Sequence, residues 1–277
     1  MDGEVHCPAG KIMIQEEEMS VRLNIEKGVA YITLAAPEKL NAYDLEMAKS
    51  LFEAVLRAED DGEVRCIVIT GEGRAFSAGG DVKFFKRIVS GEERGAEEVL
   101  LYLHGTVATL RRMGKPVISA VNGVAAGAGI GIALSADLVY ASREASFVFA
   151  YPRVGLSPDG GTTFLLTREI GYHRTMELLL TGKVLGAEEA LSWGLVNGVK
   201  EPEELLPFVS SLAGKIAGGP TGAYARGKEL IAQAYFGAME TQMERERQNI
   251  KESMKTDDFR EGVLSFIEKR EPRFTGK

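Results

Sequence analysis

The chain has 277 residues, of which 45% are hydrophobic and 26% charged, and this composition is typical of one large globular domain with a small appendage. Its formal net charge of −7 argues against nucleic acid as a partner, although a few local lysines could still hold an anionic ligand. The N-terminus is polar and acidic and shows no signal peptide.

The pattern of apolar residues predicts strands and helices that alternate between about residues 20 and 200, after a loosely ordered extension over residues 1–19. The first two strands, Val21–Glu26 and Val29–Leu34, flank a Lys27-Gly28 turn and are expected to form a hairpin. Further strands are expected at Val64–Thr70, Val117–Val121, Leu138–Ala141, Ser146–Phe149 and Leu195–Val199. Helices are expected from Asp44 to Asp60, after Gly80, over 96–113, from Ile130, over 162–170 and 173–180, and at Ala187–Trp193.

After Pro202 the strand pattern ends and only helical periodicity remains, over 203–217, 221–235, 237–254 and 257–269. The chain is therefore divided into an N-terminal extension (1–19), a strand-and-helix core (20–200) and a helical C-terminal region (201–277). Its predicted fold class is α/β. The sequence shows no internal repeat.

One stretch, Lys115 to Asp137, organises the rest of the chain. It reads KPVISAVNGVAAGAGIGIALSAD, which predicts an apolar strand, a loop of small residues and an apolar helix. The first N–H groups of a helix have no internal partner, so this arrangement aims a backbone donor at an electron-rich group. A second loop, Ser77-Ala78-Gly79-Gly80-Asp81, is expected to supply the other half of an anion-stabilising pair.

Two further features bear on the cellular setting. The uncharged residues 116–136 are long enough to span a membrane, but their glycines, Asn122 and serines are typical of a buried strand and helix, so no membrane partner is expected. Cys7 and Cys66 lie far apart and form no metal-binding spacing. This favours a reduced, cytoplasmic setting and no bound metal.

At these loops the sequence resembles the crotonase superfamily, also called the enoyl-CoA hydratase/isomerase family. The likeness runs from about residue 20 to 275 and depends on several motifs in order, which makes it specific. The matching segments are Asn41-Ala42, SAGGD at 77–81, KPVISAVNGVAAGAG at 115–129, Asp137, GLSPDGGT at 155–162 and FIEKR at 266–270.

The resemblance implies a stack of repeated ββα units with C-terminal helices that drive assembly of a homotrimer or a dimer of trimers. It implies an acyl-CoA thioester as substrate, with coenzyme A as part of that substrate and no permanently bound cofactor. The backbone N–H groups of Gly80 and Ala128 would hold the thioester oxygen. A preorganised donor at a developing enolate oxygen is worth about 3–4 kcal/mol.

The resemblance also implies a wider set of substrate-binding positions. Lys83 and Lys269 match lysines that contact the coenzyme A phosphates or ribose, although either could be an ordinary surface lysine. Asp81 is expected to brace its loop by accepting backbone N–H bonds. The implied substrate-binding residues are Leu40, Ala42, Ala78, Gly79, Asp81, Val82, Lys83, Val124, Ala126, Gly131, Tyr151 and Lys269.

The sequence departs from a hydratase of this family at the two catalytic positions. Hydratases carry two glutamates, and the corresponding positions here are Gly131 and Tyr151. Addition of water needs an activated water and a delivered proton, and a glycine and a tyrosine do not replace the pair of carboxylates in any obvious way. An isomerase is therefore favoured over a hydratase.

One carboxylate does lie nearby, at Asp159. This loop position carries the catalytic carboxylate of several enoyl-CoA isomerases and of the isomerase that acts on ring-epoxidised phenylacetyl-CoA, and the surrounding motifs look most like that last subgroup. A single carboxylate suits a shift of a double bond, because one group can act first as base and then as acid. The alternative is that Asp159 caps the helix that begins near Thr162.

Several alternatives remain. Aryl-CoA dehalogenases place a nucleophilic aspartate at the position of Asp159 and a histidine at the position of His104. They carry a tryptophan at the position of Tyr151, so the match is incomplete. A hydratase or hydrolytic enzyme would use Asp159 differently. His104 is either structural or catalytic, and Arg153 would lower the pKa of Asp159 or bind substrate.

The side chains of Phe84, Phe85, Leu101, Tyr151 and Phe164 would line an acyl pocket or belong to the core. A non-catalytic acyl-CoA-binding scaffold is an alternative of another class. A dinucleotide-binding oxidoreductase is excluded, because its glycine fingerprint needs glycine where Ile132 stands.

Overall fold

Two β-sheets form the centre of the fold. A computed structural model of the protein describes residues 20–93, 96–234 and 238–277. The extension predicted for residues 1–19 lies outside these ranges. The strands, in chain order, are β1 (Val21–Glu26), β2 (Val29–Leu34), β3 (Cys66–Gly71), β4 (Ala75–Ser77), β5 (Val117–Val121), β6 (Val124–Ala126), β7 (Leu138–Ser142), β8 (Ser146–Val148), β9 (Val184–Gly186) and β10 (Gly198–Lys200).

Helices surround these sheets and continue alone after β10. The helices, in chain order, are α1 (Leu45–Asp60), α2 (Val82–Val89), α3 (Glu97–Arg112), α4 (Ala128–Leu134), α5 (Thr162–Ile170), α6 (Tyr172–Thr181), α7 (Ala187–Trp193), α8 (Pro202–Ala217), α9 (Thr221–Ala234), α10 (Met239–Ser253) and α11 (Asp257–Glu268). The predicted α/β class and the helical C-terminal region are confirmed. As expected, Asp44 is the N-cap of α1, since its carboxylate accepts the N–H of Met47 at 2.9 Å.

The larger sheet has the strand order β1-β2-β3-β5-β7-β10, and the smaller sheet has the order β4-β6-β8-β9. In the larger sheet the β1–β2 hairpin is antiparallel and the other pairs are parallel. Three times the chain leaves a strand of the larger sheet and enters a short strand of the smaller one, from β3 to β4, β5 to β6 and β7 to β8. The structure therefore contains a repeated unit that the sequence does not reveal.

The short strands were not predicted, because each of β4, β6 and β9 has only three residues. Three residues are too few for a period of two to be recognised. One predicted strand is also misplaced: Leu195 and Val196 are buried in the turn after α7, where the N–H of Leu195 bonds to the carbonyl of Ala190, and β10 begins only at Gly198. The apolar character of Leu195 and Val196 reflects burial under the helix end rather than strand pairing.

The core has two parts, one on each face of the larger sheet. The larger part lies between the sheets and helices α1, α3 and α4. The smaller part lies under α8, whose buried side chains Leu205, Val209 and Ala213 pack on Val68 and Ile118 of the sheet. The division of the chain at residue 200 stays a prediction.

The organising stretch lies in the middle of this core. Every residue of β5 and α4 is buried, as expected for an apolar strand and helix. Asp137, directly before β7, accepts the N–H of Val117 at 2.8 Å and a bond of 2.9 Å from the ammonium of Lys228 in α9. This half-buried cation therefore joins the C-terminal helices to the sheet. Across the described ranges, we find no helix that combines the length and the apolar character needed to cross a bilayer.

Candidate active site

The two glycine-containing loops lie side by side because β4 and β6 are neighbouring parallel strands, which end at the same edge of the smaller sheet. A Cβ atom at Gly79 would lie only 2.6 Å from the carbonyl oxygen of Ala126. Gly127 adopts a φ of 47°, which L-residues rarely adopt, and this turn lets α4 begin at Ala128. The packing of the loops thus requires glycine on both sides.

The N–H groups of Gly80 and Ala128 are the donors that these loops present. Ala128 is the first residue of α4, so its N–H has no partner within the helix. Gly80 is held by its neighbours: the N–H of Tyr43 bonds to the carbonyl of Gly79 at 2.6 Å, and the N–H of Asp81 bonds to the carbonyl of Tyr43 at 2.8 Å. Neither the Gly80 nor the Ala128 N–H donates a hydrogen bond to any described residue.

Asn41 and Ser77 brace the first loop from behind. The buried Asn41 side chain accepts the N–H of Ala36 at 2.9 Å and donates to the carbonyl of Ala75 at 2.8 Å. The Ser77 hydroxyl donates to the carbonyl of Asn41 at 2.8 Å and accepts the N–H of Gly79 at 3.2 Å. In the sequence Asn41 marks a loop. The structure adds that its side-chain amide forms hydrogen bonds with backbone groups that have no backbone partner in this loop.

A cavity of about 210 Å³ opens in front of the two N–H groups. Its walls are mostly apolar, and its two ionisable side chains other than tyrosine are those of Asp159 and Arg153. Six of the predicted catalytic and substrate-binding residues line it: Ala78, Gly80, Val82, Ala128, Tyr151 and Asp159. The lining residues that sequence reasoning missed are Tyr43, Ala96, Val99, Leu100, Leu103, Gly127, Ala150, Val154 and Leu156.

No local sequence signal marks these additional residues, because α2, α3 and the loop before α5 meet only in the tertiary structure. Phe84 and Phe85 line the cavity, which agrees with the interpretation that they belong to an acyl pocket. Leu101 and Phe164 are exposed, with 69% and 44% of their surfaces accessible, and they lie outside it. The sequence placed Leu101 and Phe164 either in the pocket or in the core, and in the single chain both of these predictions are wrong.

The other predicted substrate-binding positions lie around the cavity or away from its wall. Leu40 accepts the N–H of Ala78 at 2.9 Å and so supports the first loop. Lys83 and Lys269 are exposed, and their roles stay predictions. The predicted substrate-binding residues that do not line the cavity are Leu40, Ala42, Gly79, Asp81, Lys83, Val124, Ala126, Gly131 and Lys269. The carboxylate of Asp81 accepts the N–H of Lys83 at 2.7 Å and caps α2.

Asp159 presents its carboxylate to the cavity rather than to a helix. The Tyr151 hydroxyl donates to Oδ1 of Asp159 at 2.7 Å. The main-chain carbonyl of Asp159 accepts the N–H and the hydroxyl of Thr162, at 3.0 and 2.8 Å. Helix α5 has Gly161 as its N-cap and no side-chain cap, so the alternative that the Asp159 side chain caps this helix is wrong.

The two positions that carry glutamate in a hydratase have other structural roles. A Cβ atom at Gly131 would lie 2.3 Å from the carbonyl oxygen of Gly160, so no side chain fits there while the loop keeps this conformation. Tyr151 is buried, and its pKa is raised above the usual range, mainly by burial and then by the charge of Asp159. The phenol therefore remains a protonated donor.

His104 bonds to this loop, whereas Arg153 lines the cavity but bonds to another segment. Nε2 of the exposed His104 accepts the N–H of Gly160 at 3.3 Å. The Arg153 guanidinium donates to the carbonyl of Gly182 at 3.3 Å, and we find no ion pair between Arg153 and Asp159. Across the described ranges, no group of three or more His, Cys, Asp or Glu side chains is arranged to hold a metal ion.

Two unpaired backbone donors, an apolar cavity and one carboxylate define a protein that can stabilise an oxyanion and move a proton beside it. Comparison with known proteins agrees with this class. Residues 24–277 match the model of the enoyl-CoA hydratase/isomerase family. The chain belongs to the enoyl-CoA hydratase/isomerase family, as the resemblance implied.

Individual relatives cover nearly the whole chain. It is 40% identical over 255 residues to 1,2-epoxyphenylacetyl-CoA isomerase of Escherichia coli strain K12, covering 92% of this chain and 97% of the relative. It is 36% identical to trans-2-decenoyl-[acyl-carrier-protein] isomerase of Streptococcus mutans, with the same coverage. The solved structure of an enoyl-CoA hydratase from Polaromonas sp. JS666 superposes with a TM-score of 0.85 at 36% identity and covers 92% of this chain and 99% of that one.

Proposed function

We propose that the protein is an enoyl-CoA isomerase that moves a double bond on a coenzyme A thioester, with Asp159 as the group that carries the proton. The observation behind this proposal is that the carboxylate of Asp159 lines the same cavity as the unpaired N–H groups of Gly80 and Ala128. A proton acceptor and an oxyanion site in one small apolar cavity are the parts that enolate chemistry needs.

The reaction has two proton transfers. The ionised Asp159 removes a proton from C2 of a 3-enoyl thioester, and the electron pair of that C–H bond moves into the thioester carbonyl, whose oxygen becomes negative. The N–H groups of Gly80 and Ala128 hold this oxygen in the dienolate. The protonated Asp159 then returns the proton at C4, and the double bond lies between C2 and C3. No atom is gained or lost, so one carboxylate completes the cycle.

The site is less suited to the addition of water. Hydration needs one group to activate the water and another to deliver a proton. The space in which a side chain of residue 131 would lie is taken by the Gly160 carbonyl, and Tyr151 donates to Asp159. A hydrolytic reaction would need a base beside Asp159, but Nε2 of His104 accepts the N–H of Gly160.

Assembly and location belong to the proposal as well. A trimer, or a dimer of trimers, would cover the apolar side chains that α9, α10 and α11 leave exposed, such as Ile231, Met243, Phe266 and Ile267. The same helices flank an apolar groove of about 590 Å³ between α9 and α11. We further propose that coenzyme A enters only as part of the substrate and that the enzyme works in the cytoplasm, where the buried thiol of Cys66 would stay reduced.

Asp159→Asn tests the proton-carrying role, because it keeps the size of the side chain but removes the base. We expect the turnover of 3-enoyl-CoA thioesters to fall by about 10²–10⁴-fold, with binding of the thioester retained. Ultraviolet absorbance would follow the new conjugation, and mass spectrometry would verify an unchanged product mass. Undiminished turnover in the variant would refute the role of Asp159.

A panel of 2-enoyl, 3-enoyl and aryl thioesters separates the alternatives. A product that is heavier by one water means a hydratase, and a product that has exchanged its halide for hydroxyl means a hydrolytic dehalogenase. A protein that binds these thioesters and converts none of them is the non-catalytic scaffold. Each of these outcomes would contradict the isomerase proposal.

A further inference from the structure

The two oxygens of the Asp159 carboxylate have different surroundings. Oδ1 accepts the Tyr151 hydroxyl at 2.7 Å. Oδ2 forms no hydrogen bond with any described residue. The residue as a whole is half-buried in the wall of the cavity. One oxygen is thus anchored to the protein, and the other has no hydrogen-bond partner among the described residues, in a side chain that lines the cavity.

We propose that Tyr151 is a positioning residue: its hydroxyl holds Oδ1 of Asp159 and directs Oδ2 to the carbon that gives up its proton. This inference rests on the proposed function, since it assigns a task to Tyr151 within the same site. It replaces the substrate-binding role that the family resemblance implies for this position.

Tyr151 is rigidly placed for this task. It begins a short 3₁₀ turn, Tyr151–Val154, in which Pro152 restricts the backbone. Only 7% of its surface is exposed, and its ring packs edge-to-face on Phe149 with 5.4 Å between the ring centres. The hydroxyl also lies 3.3 Å from the main-chain carbonyl of Asp159. A side chain held by packing on one side loses little freedom when it binds the carboxylate on the other.

Electrostatics favour the same assignment. Burial, and then the charge of Asp159, raise the pKa of Tyr151 above its ordinary value, so the phenol donates throughout the pH range in which an enzyme works. The Tyr151 hydroxyl therefore meets the carboxylate of Asp159 as a neutral hydrogen-bond donor and not as a second negative charge.

Other polar groups around Asp159 are engaged elsewhere. Nε2 of His104 on α3 accepts the N–H of Gly160, and the Arg153 guanidinium donates to the Gly182 carbonyl. The Thr162 hydroxyl on α5 donates to the main-chain carbonyl of Asp159 and not to its carboxylate. Among the described residues, Tyr151 is therefore the side chain that hydrogen-bonds the carboxylate.

Tyr151→Phe tests the inference because it removes the hydroxyl and keeps the ring. We expect kcat to fall by about 10–100-fold with KM changed less than threefold, since the substrate loses no contact with the hydroxyl. A fall in kcat that is matched by an equal rise in KM would overturn the inference and leave only a packing role.

Tyr140→Phe is the matched control. Tyr140 lies in β7, outside the lining of the cavity, and packs edge-to-face on Phe208 at 4.9 Å, so loss of its hydroxyl should leave kcat and KM unchanged. Asp159→Asn separates the two proposals. Full turnover in that variant overturns the proposed function. Loss of turnover in Asp159→Asn, together with normal kcat in Tyr151→Phe, overturns the positioning role alone.

Discussion

The carbonyl oxygen of Gly160 lies 2.3 Å from the point that a Cβ atom of residue 131 would occupy. Gly131 is in the first two turns of α4, and Gly160 belongs to the loop that carries Asp159. The helix that presents the Ala128 N–H is therefore in direct backbone contact with the loop that presents the carboxylate. The distance between the proposed oxyanion site and the proposed proton carrier depends on this contact.

Gly131→Ala should disturb both stability and catalysis. The added methyl group would force the loop away from α4, and we expect a loss of about 1–3 kcal/mol in the free energy of unfolding together with a fall in turnover. Gly214→Ala is the control, because Gly214 lies inside α8 with no atom within 4 Å of its ideal Cβ. That change should stabilise the protein by about 0.5–1 kcal/mol. Urea unfolding of both variants measures the difference, and an equal effect of the two changes would contradict the close contact.

Ala128→Pro should remove one donor of the oxyanion pair while the helix still begins at the same residue. Proline is tolerated at the first position of a helix, where its missing N–H has no partner in the helix. We expect kcat to fall by about 10²–10³-fold, as when one oxyanion donor is lost.

Met239→Pro makes the same change at the first residue of α10, which is exposed. It should leave turnover nearly unchanged. Circular dichroism and thermal unfolding of both variants would verify that they fold. A folded Ala128→Pro enzyme with normal turnover would show that this N–H does not hold the developing charge.

Tyr43→Phe should stabilise the protein. Tyr43 is 2% exposed, and its hydroxyl forms no hydrogen bond with any described residue. A buried hydroxyl without a partner loses its bonds to water and gains none, at a cost of about 1–3 kcal/mol. Removal of the oxygen should therefore raise the free energy of unfolding by about 1 kcal/mol, measured by urea unfolding. A loss of stability instead would mean that the hydroxyl has a partner in solution, such as a bound water.

Glu261→Gln should weaken the dependence of stability on acid pH. Bonds from the Arg270 guanidinium, and then the N–H of Arg273, lower the pKa of Glu261 from its ordinary 4.5 to about 2. Because the pKa in the folded state lies below that in the unfolded state, this carboxylate stabilises the fold above about pH 4.5 and loses that effect as the pH falls towards 2.

The melting temperature of the variant should therefore fall less than that of the wild type between pH 5 and pH 2 at low salt. Glu246→Gln, at an exposed position of α10 with no ion pair to a described residue, is the control and should follow the wild type. Parallel curves for wild type and Glu261→Gln would contradict the strength of the Arg270 pair in solution.

Much of the site follows from local patterns. A strand, a glycine loop and a helix in succession predict that the N–H of Ala128 lacks a partner, because that property belongs to the start of any helix. Gly80 is predicted in another way, by the family resemblance of the motif at 77–81, because α2 begins only at Val82. By contrast, the Asn41 side chain braces the first loop through hydrogen bonds to Ala36 and Ala75. Ala75 is 34 residues away, and no pattern along the chain reveals such a partner.

The sequence by itself determined the family and the α/β class, and it predicted the two backbone donors and the absence of both hydratase glutamates, because each of these depends on residue identities within short motifs. The tertiary structure alone decided that the Asp159 side chain faces the cavity instead of capping α5, that Tyr151 holds one of its two oxygens, and that Gly160 fills the space beside Gly131. These are distances between segments that meet only when α4, the Tyr151 turn and the Asp159 loop pack together, and close packing permits just one such arrangement.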